Sequence, residues 1–195
     1  MHPLVVLAKQ TVEKYILEGK TILPDKNLPQ KFPRGELVEL LDQKAGVFVT
    51  IRNGKELRGC IGTYLPTRKN IAEEVIQNAI SAATSDYRFS PIQKEELTQL
   101  NYSVEILSKP ELVKNPKELD PKKYGIIVKT APIISPTKTD VVFNGHSIPK
   151  SGLLLPDLED IDNVEKQISI ACHKGGINPI KEKILIYKFT VEKYQ

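Results

Sequence analysis

Residues 47–64 read VFVTIRNGKELRGCIGTY. Apolar and polar residues alternate on both sides of the Asn-Gly pair at 53–54, a dipeptide that is typical of tight β-hairpins. The pattern therefore predicts two antiparallel strands that turn at this pair. Cys60 falls near the far end of the second strand, with Gly59 before it and Gly62 two residues after it.

Helical and strand patterns continue on both sides of this hairpin. Apolar spacing predicts a helix near the amino terminus that Gly19 ends, and a second helix with Asn70 as its N-cap and Glu73 in an approximate capping box. The other expected elements are a connector at 21–35, a short helix at 36–46, strands at 100–109, 124–130, 152–156 and 183–194, a hairpin at 140–148 and a helix at 161–176.

This order of elements predicts the fold class. Helices alternate with paired strands and hairpin turns dominate, which favours an α+β fold with a largely antiparallel or mixed sheet over a doubly wound parallel sheet. The order strand, strand, helix, strand occurs before and after the middle of the chain and suggests a loose duplication, although no sequence repeat supports it. The 195 residues fit one domain of ordinary size or two small lobes.

The composition indicates a soluble protein. Hydrophobic residues make up 40% of the chain, and no apolar run approaches the roughly 18–20 residues that cross a bilayer. The amino-terminal segment becomes polar too early for a signal peptide, so we expect a cytoplasmic location. The net charge of +4 comes from 28 basic and 24 acidic residues that are interspersed, which disfavours nucleic-acid binding. We expect the two cysteines to be free thiols.

At LRGCIG, residues 57–62, the chain resembles the AMMECR domain family, for which this hexamer is a signature. The similarity to the bacterial branch extends over AGVFVTI (45–51), the stretch at 62–92, YSVEILSKPE (102–111), the stretch at 152–171 and HKGGI (173–177). The resemblance implies a curved, largely antiparallel, barrel-like sheet with flanking helices and two related halves. It also implies a Memo-like protein and a radical S-adenosylmethionine enzyme as partners. The family has no established activity.

Three positions depart from the family pattern or vary within it. The segment 131–151 is longer than the short turn that the family predicts, its role is open, and His146 within it receives little functional weight. Tyr87 stands where the bacterial branch usually has proline. Cys172 occupies a variable family position, which favours a structural interpretation.

Cys60 is the first candidate for chemistry. Arg58 lies two residues earlier, so in a regular strand both side chains share a face and the cation favours the thiolate. Gly59 and Gly62 bring backbone close to whatever occupies that surface. The functional interpretations are a nucleophile, a metal ligand or a contact in a binding cleft. The structural alternative is a small residue packed under a helix, with Arg58 paired to an acid. No second residue is spaced to help bind a metal, and we predict no cofactor.

Four further side chains are candidates. Asp86 and Arg88 follow the second helix and either contact a ligand or form an ion pair that holds a loop against the hexamer. Asn78, within that helix, is a weaker binding candidate. Glu105 lies on the strand face opposite Tyr102 and is either a general base, a partner for a substrate cation, or an ordinary solvated carboxylate.

Three functions fit these patterns. The first is an enzyme or substrate-handling subunit that binds a small polar or anionic molecule at the hexamer and works with the radical enzyme. The second is a non-catalytic adaptor that docks through the glycine-flanked strand. The third, a nucleic-acid-associated protein, is disfavoured by the dispersed charge.

Overall fold

The computed structural model describes residues 1–22, 42–131 and 149–195. Over these residues the chain is α+β, with three α-helices and two four-stranded sheets whose strand pairings are largely antiparallel. This confirms the predicted fold class. Within the described residues neither sheet closes on itself, so both are open sheets and not closed barrels. The chain divides into two compact units, Met1–Lys109 with Glu192–Gln195, and Pro110–Val191.

The sheet of the first unit is built around the predicted hairpin. Its strand order is β2-β1-β3-β8, so β2 lies at an edge, and the strands are β1 (Gly46–Asn53), β2 (Glu56–Thr63), β3 (Leu100–Leu107) and β8 (Val191–Tyr194). Asn53 pairs with Glu56, which leaves Gly54 and Lys55 as a two-residue loop. Gly54 has a φ of 58°, a value that glycine adopts without steric cost. The hairpin is confirmed, with its loop one residue later than predicted.

Two helices belong to this first unit. Helix α1 (Pro3–Glu18) ends at Gly19, which has a φ of 68°, and α2 (Ile71–Thr84) begins after Asn70, whose side chain accepts a hydrogen bond from the Glu73 amide. Their buried residues join those of β1 and β3 in one core, in which Val47, Val49 and Ile51 are fully buried. A 3₁₀ helix (Lys94–Gln99) precedes β3.

The other face of this sheet carries a group of polar residues. Because successive side chains in a strand point to opposite faces, Thr50 lies away from the core side on which Val49 and Ile51 pack. Thr50 stands opposite both Cys60 on β2 and Ser103 on β3, and Glu105 is two residues beyond Ser103. We call these four residues, Thr50, Cys60, Ser103 and Glu105, the polar face.

The second unit has its own sheet and core. Its strand order is β4-β7-β5-β6, with β4 (Glu111–Leu112), β5 (Gly125–Thr130), β6 (Ser151–Leu154) and β7 (Ile184–Phe189). Helix α3 (Val164–Lys174) packs on β5 and β6, and Asn163 caps its amino terminus. Cys172 on this helix is 2% exposed and belongs to the core. A short 3₁₀ helix (Pro116–Glu118) lies between β4 and β5.

One predicted element is wrong and others lie outside the described residues. The segment 183–194, predicted as a single strand, forms β7 in one sheet and β8 in the other, with Thr190 between them. The connector at 21–35 and the short helix at 36–46 fall mainly, and the hairpin at 140–148 entirely, outside the described residues. No helix in the described ranges is both long enough and apolar enough to cross a membrane.

Candidate functional site

Cys60 lies at one end of the polar face, on the edge strand β2, opposite Thr50. The Thr50 hydroxyl donates a hydrogen bond to its Sγ at 3.3 Å. The Cys60 amide and carbonyl bond to side chains rather than to β1, so Thr50 and Cys60 form a non-hydrogen-bonded pair of the kind that brings opposed side chains closest. The Thr50 hydroxyl therefore holds the Cys60 thiol in place. The structural alternative, in which Cys60 packs under α2, is wrong on this point.

Gly59 and Gly62 allow two close approaches around Cys60. A Cβ on Gly59 would collide with the backbone carbonyl oxygen of Ala82 in α2, which shows that Gly59 faces the helix. A Cβ on Gly62 would collide with the ring of Phe48, its partner on β1. The glycines thus let α2 pack tightly on one side of β2 and an aromatic ring lie against the other.

Asp86 and Arg88 hold the backbone of Cys60. The Cys60 amide donates to Asp86 Oδ2 at 2.9 Å, Arg88 Nη2 donates to the Cys60 carbonyl oxygen at 3.3 Å, and the two side chains form an ion pair at 2.7 Å. Asp86 is 4% exposed, and hydrogen bonds from Arg88 lower its pKa to about 2 despite its burial. Asp86 and Arg88 thus bind the amide and carbonyl groups of Cys60 at the sheet edge, where another strand could otherwise pair.

Arg58 does not act on Cys60 as the sequence predicted. It is the extra residue of a β-bulge, since Gly59 pairs with Ile51 and Leu57 with Arg52, and a bulge redirects side chains. Its guanidinium binds both carboxylate oxygens of Glu96, at 2.6 and 2.9 Å, and the Ser90 carbonyl oxygen at 2.8 Å. The part of the structural alternative that paired Arg58 with an acid therefore describes it correctly.

The pKa of the Cys60 thiol is raised, contrary to the expected stabilisation of the thiolate. Burial is the main cause, and the negative charges of Glu105 and Asp86 act in the same direction. The hydrogen bond from Thr50 and the charge of Arg88 oppose the shift without cancelling it. At neutral pH Cys60 is consequently a protonated thiol, a weak nucleophile but an available hydrogen-bond donor.

Glu105 is a buried carboxylate and not a solvated one. It is 7% exposed, its Oε1 lies 3.5 Å from Lys193 Nζ, and its Oε2 has no hydrogen-bond partner in the part of the chain that the structure describes. Burial raises the pKa of Glu105, while Lys193 acts to lower it. The carboxyl group therefore keeps its proton to a higher pH than an exposed glutamate does.

Asn78 has a structural position. Its amide nitrogen donates to the Val47 carbonyl oxygen at 2.9 Å, which ties α2 to the start of β1 in the buried core. The structure thus brings Cys60, Asp86, Arg88 and Glu105 to one region of the sheet and places Asn78 on its other side.

Sequence reasoning missed Thr50, Ser103 and Glu74. Thr50 and Ser103 are recognisable only from the strand register, because a lone hydroxyl in a strand carries no signal of its own. Glu74 is 1% exposed and accepts four hydrogen bonds from Thr63, Thr67 and Arg68, which outweigh its burial and lower its pKa. The sequence feature that could have identified Glu74 is a charged residue on the apolar side of α2.

The described residues contain no group of three or more His, Cys, Asp or Glu side chains that could hold a metal ion. Cys60 and Cys172 are both free thiols. What the polar face can provide is a set of proton donors and acceptors of different acidity: a thiol, two hydroxyls and a carboxyl group.

Comparison with known proteins identifies the family. The family model described as AMMECR1 matches residues 5–194. The chain belongs to the AMMECR1 family. A Thermotoga maritima protein is 44% identical over the whole of this chain and 98% of its own length. A Clostridium acetobutylicum protein is 39% identical over 99% of this chain, which spans only 36% of that relative.

The AMMECR1 fold is also found in a solved structure. The crystal structure of the uncharacterised protein PH0010 from Pyrococcus horikoshii matches with a TM-score of 0.76 and 33% identity, over 97% of this chain and 88% of that one. These relationships establish the family and support the α+β fold, and they assign no activity.

Proposed function

We propose that this AMMECR1-family protein is a substrate-handling or catalytic subunit that binds a small polar molecule at the polar face, in contact with Cys60 and Glu105. The single observation that carries the proposal is the buried Glu105 carboxyl group, whose Oε2 has no hydrogen-bond partner among the described residues and which lies on the same face as Cys60.

The energetic argument concerns this unpaired oxygen. Burying a polar group without a hydrogen bond costs on the order of 1–3 kcal/mol, and more for a charged group. A ligand that presents a hydroxyl or amine to Glu105 would recover that free energy on binding. Perturbed pKa values are also concentrated at functional sites, because catalytic acids and bases need a pKa that is matched to their task.

The proposed chemistry is proton transfer. A carboxyl group with a raised pKa keeps its proton to a higher pH than an exposed glutamate does, which suits Glu105 as a general acid or base. Cys60 is a protonated thiol in the free protein and would serve first as a hydrogen-bond donor to the ligand. It becomes a nucleophile only if a bound substrate or Glu105 removes its proton.

The proposed partners follow from the family resemblance. They are a Memo-like protein and a radical S-adenosylmethionine enzyme, with this chain handling a substrate or product of the radical reaction. The Clostridium relative supports cooperation with other domains, because this chain accounts for 36% of a longer polypeptide.

An adaptor function is the second candidate, and Tyr87 favours it. This side chain is 94% exposed at the second position of a turn closed by a hydrogen bond from the Phe89 amide to the Asp86 carbonyl oxygen. That position of a turn favours proline, which explains why proline suits the family there. Replacement of Tyr87 by Ala would weaken partner co-purification and leave small-molecule binding unchanged if docking is the function.

The test of the main proposal is ligand retention. The purified protein is mixed with a small-molecule extract of its source cells, separated from unbound compounds by gel filtration, and analysed by mass spectrometry. We expect retained compounds that the Glu105→Gln variant loses and that the control variant Glu111→Gln, changed on an exposed strand residue, keeps. Identical retention profiles for all three proteins would contradict the proposal.

The partner assignment has a separate test. Metabolite profiles of a strain that lacks this gene are compared with those of a strain that lacks the radical enzyme. Shared accumulated compounds are expected, and two unrelated profiles would reject the assignment.

A further inference from the structure

A cavity of about 500 Å³ lies in the first unit beside the polar face. It is formed where α1, the hairpin end of β1 and the start of β3 meet. Its lining includes Lys9 on α1, Thr50 and Arg52 on β1, Asn101, Tyr102 and Ser103 on β3, and Thr98 just before β3. A volume of this size accommodates a small organic molecule.

The cavity and the polar face share two residues. Thr50 and Ser103 line the cavity, and Thr50 is also the donor to Cys60 Sγ. Arg52 follows Thr50 by two residues on β1, a separation of about 7 Å along a strand. A ligand of a few carbon atoms can therefore contact Arg52 at one end and the Thr50–Cys60 pair at the other.

The charged side chains of the lining are all basic. They are Lys9 and Arg52, and none of the described residues that line the cavity is Asp or Glu. Lys9 has a long ion pair to Glu13 at 3.9 Å, and Arg52 uses one nitrogen to donate to the Lys55 carbonyl oxygen at 3.0 Å. Arg52 keeps further N–H groups, which match the geometry of a carboxylate or phosphate.

Tyr102 adds a second polar observation. Tyr102 is one of the lining residues, its side chain is buried on the core side of the sheet, and its hydroxyl has no hydrogen-bond partner in the described residues. A phenol is able to donate to an anionic oxygen, and its desolvation has already occurred in the folded protein.

We propose that this cavity holds the anionic group, a carboxylate or a phosphate, of the molecule handled at the polar face. Arg52 and Lys9 bind the anion, Asn101 and Thr98 supply neutral donors, and Thr50 with Ser103 direct the rest of the ligand toward Cys60 and Glu105. The inference rests on the proposed function and narrows its substrate class to small organic anions that extend at least about 7 Å, the spacing of Arg52 and Thr50 along β1, from the anionic group toward the polar face.

The test uses inorganic phosphate and malonate as simple probes in an amide NMR titration. We expect either anion to shift the amide signals of residues around Arg52 and Asn101, and the Arg52→Gln variant to weaken the apparent affinity at least fivefold. Lys55→Gln, which removes a charge from the same hairpin outside the cavity, is the matched control and should change the affinity less than twofold. Equal weakening in both variants, or shifts spread over surface lysines, would overturn the inference.

A variant of Lys9 separates the loss of an anion site from a disturbance of the hairpin by the Arg52→Gln substitution. Lys9→Gln lies on α1 and is expected to weaken anion binding at least twofold with the hairpin signals unchanged. An unchanged affinity would remove Lys9 from the site and count against a binding cavity.

The result is separable from that of the proposed function. If neither anion binds in the cavity while the protein retains compounds that Glu105→Gln loses, the inference fails and the proposed function stands. If both anions bind with the expected dependence on Arg52 and no compound is retained, the proposed function fails and the cavity is an anion site without a link to Glu105.

Discussion

Glu105 shows at the scale of one residue how a site can reduce the stability of its protein. Its carboxyl group is buried, and Lys193 at 3.5 Å gives only partial compensation. Because the folded-state pKa is raised above the unfolded value, folding takes up a proton there. The corresponding stability is present below the unfolded pKa and is lost as the pH rises through the folded pKa.

The first prediction is that Glu105→Gln stabilises the free protein by about 1 kcal/mol at pH 8, since it removes a buried charge. The gain should disappear near pH 4, where the native carboxyl group is protonated. Urea unfolding of both proteins at the two pH values measures it. A destabilised variant at pH 8 would mean that the carboxylate is well satisfied in the native protein.

The second prediction concerns Cys60. Its alkylation by iodoacetamide should be faster than that of the buried Cys172, and its rate should rise with pH beyond about 8.5, the ordinary thiol pKa. Thr50→Val removes the donor to Sγ and should slow labelling at pH 8 by about twofold to fivefold. Peptide mass spectrometry gives both rates.

Thr84→Val is the control for this experiment, because the Thr84 hydroxyl donates to the Ile80 carbonyl oxygen within α2 and not to Cys60. A Cys60 rate that is already maximal at pH 7 would contradict the raised pKa. Labelling of Cys60 only after unfolding would show that its environment serves packing.

At the scale of elements, the glycines of β2 determine how closely its neighbours approach. Gly59→Ala places a Cβ against a backbone oxygen of α2, which a side-chain movement cannot relieve, and should cost about 2–3 kcal/mol. The atoms nearest to a Cβ on Gly62 all belong to the Phe48 ring, which can move. The cost of Gly62→Ala should therefore fall in a Phe48→Ala background, whereas that of Gly59→Ala should not. Denaturant unfolding of the double-mutant cycles measures this, and equal coupling of both glycines to Phe48 would contradict it.

The loop after α2 is attached to β2 through Asp86. Its pKa is lowered to about 2, so the attachment is complete above the unfolded value near 4 and is lost as the pH falls toward 2. Asp86→Asn should destabilise the protein by about 1–2 kcal/mol at pH 7, with the difference shrinking below pH 3. Unfolding midpoints from pH 7 to pH 2.5 test this, with the exposed Asp120→Asn as control. A pH-independent difference would assign the effect to packing.

These elements also show what the sequence could predict. The Asn-Gly pair and the alternation around it were sufficient for the hairpin, and Asn70 was sufficient for the start of α2, because both signals are local. The position of Arg58 was mispredicted, since one bulge residue changes which side chains share a face. The attachment of Asp86 to Cys60 joins residues that are 26 positions apart, and no local pattern determines such a contact.

At the scale of the whole molecule, the last strand pattern shows the same limit. Residues 184–194 have continuous strand character, yet β7 and β8 belong to different sheets. Strand propensity is local, while sheet membership depends on which partners the rest of the chain presents. The burial of Glu105 also depends on what the rest of the chain places beside it, because its position in the strand pattern is equally compatible with a solvated face.

In the proposed site, Cys60 and Glu105 contact the same bound small molecule. The most direct measurement is the rate of Cys60 alkylation with and without the small-molecule extract of the source cells, in the wild type and in Glu105→Gln. We expect the extract to slow labelling at least threefold in the wild type and to have no effect in the variant. An identical rate with and without the extract in both proteins would contradict it.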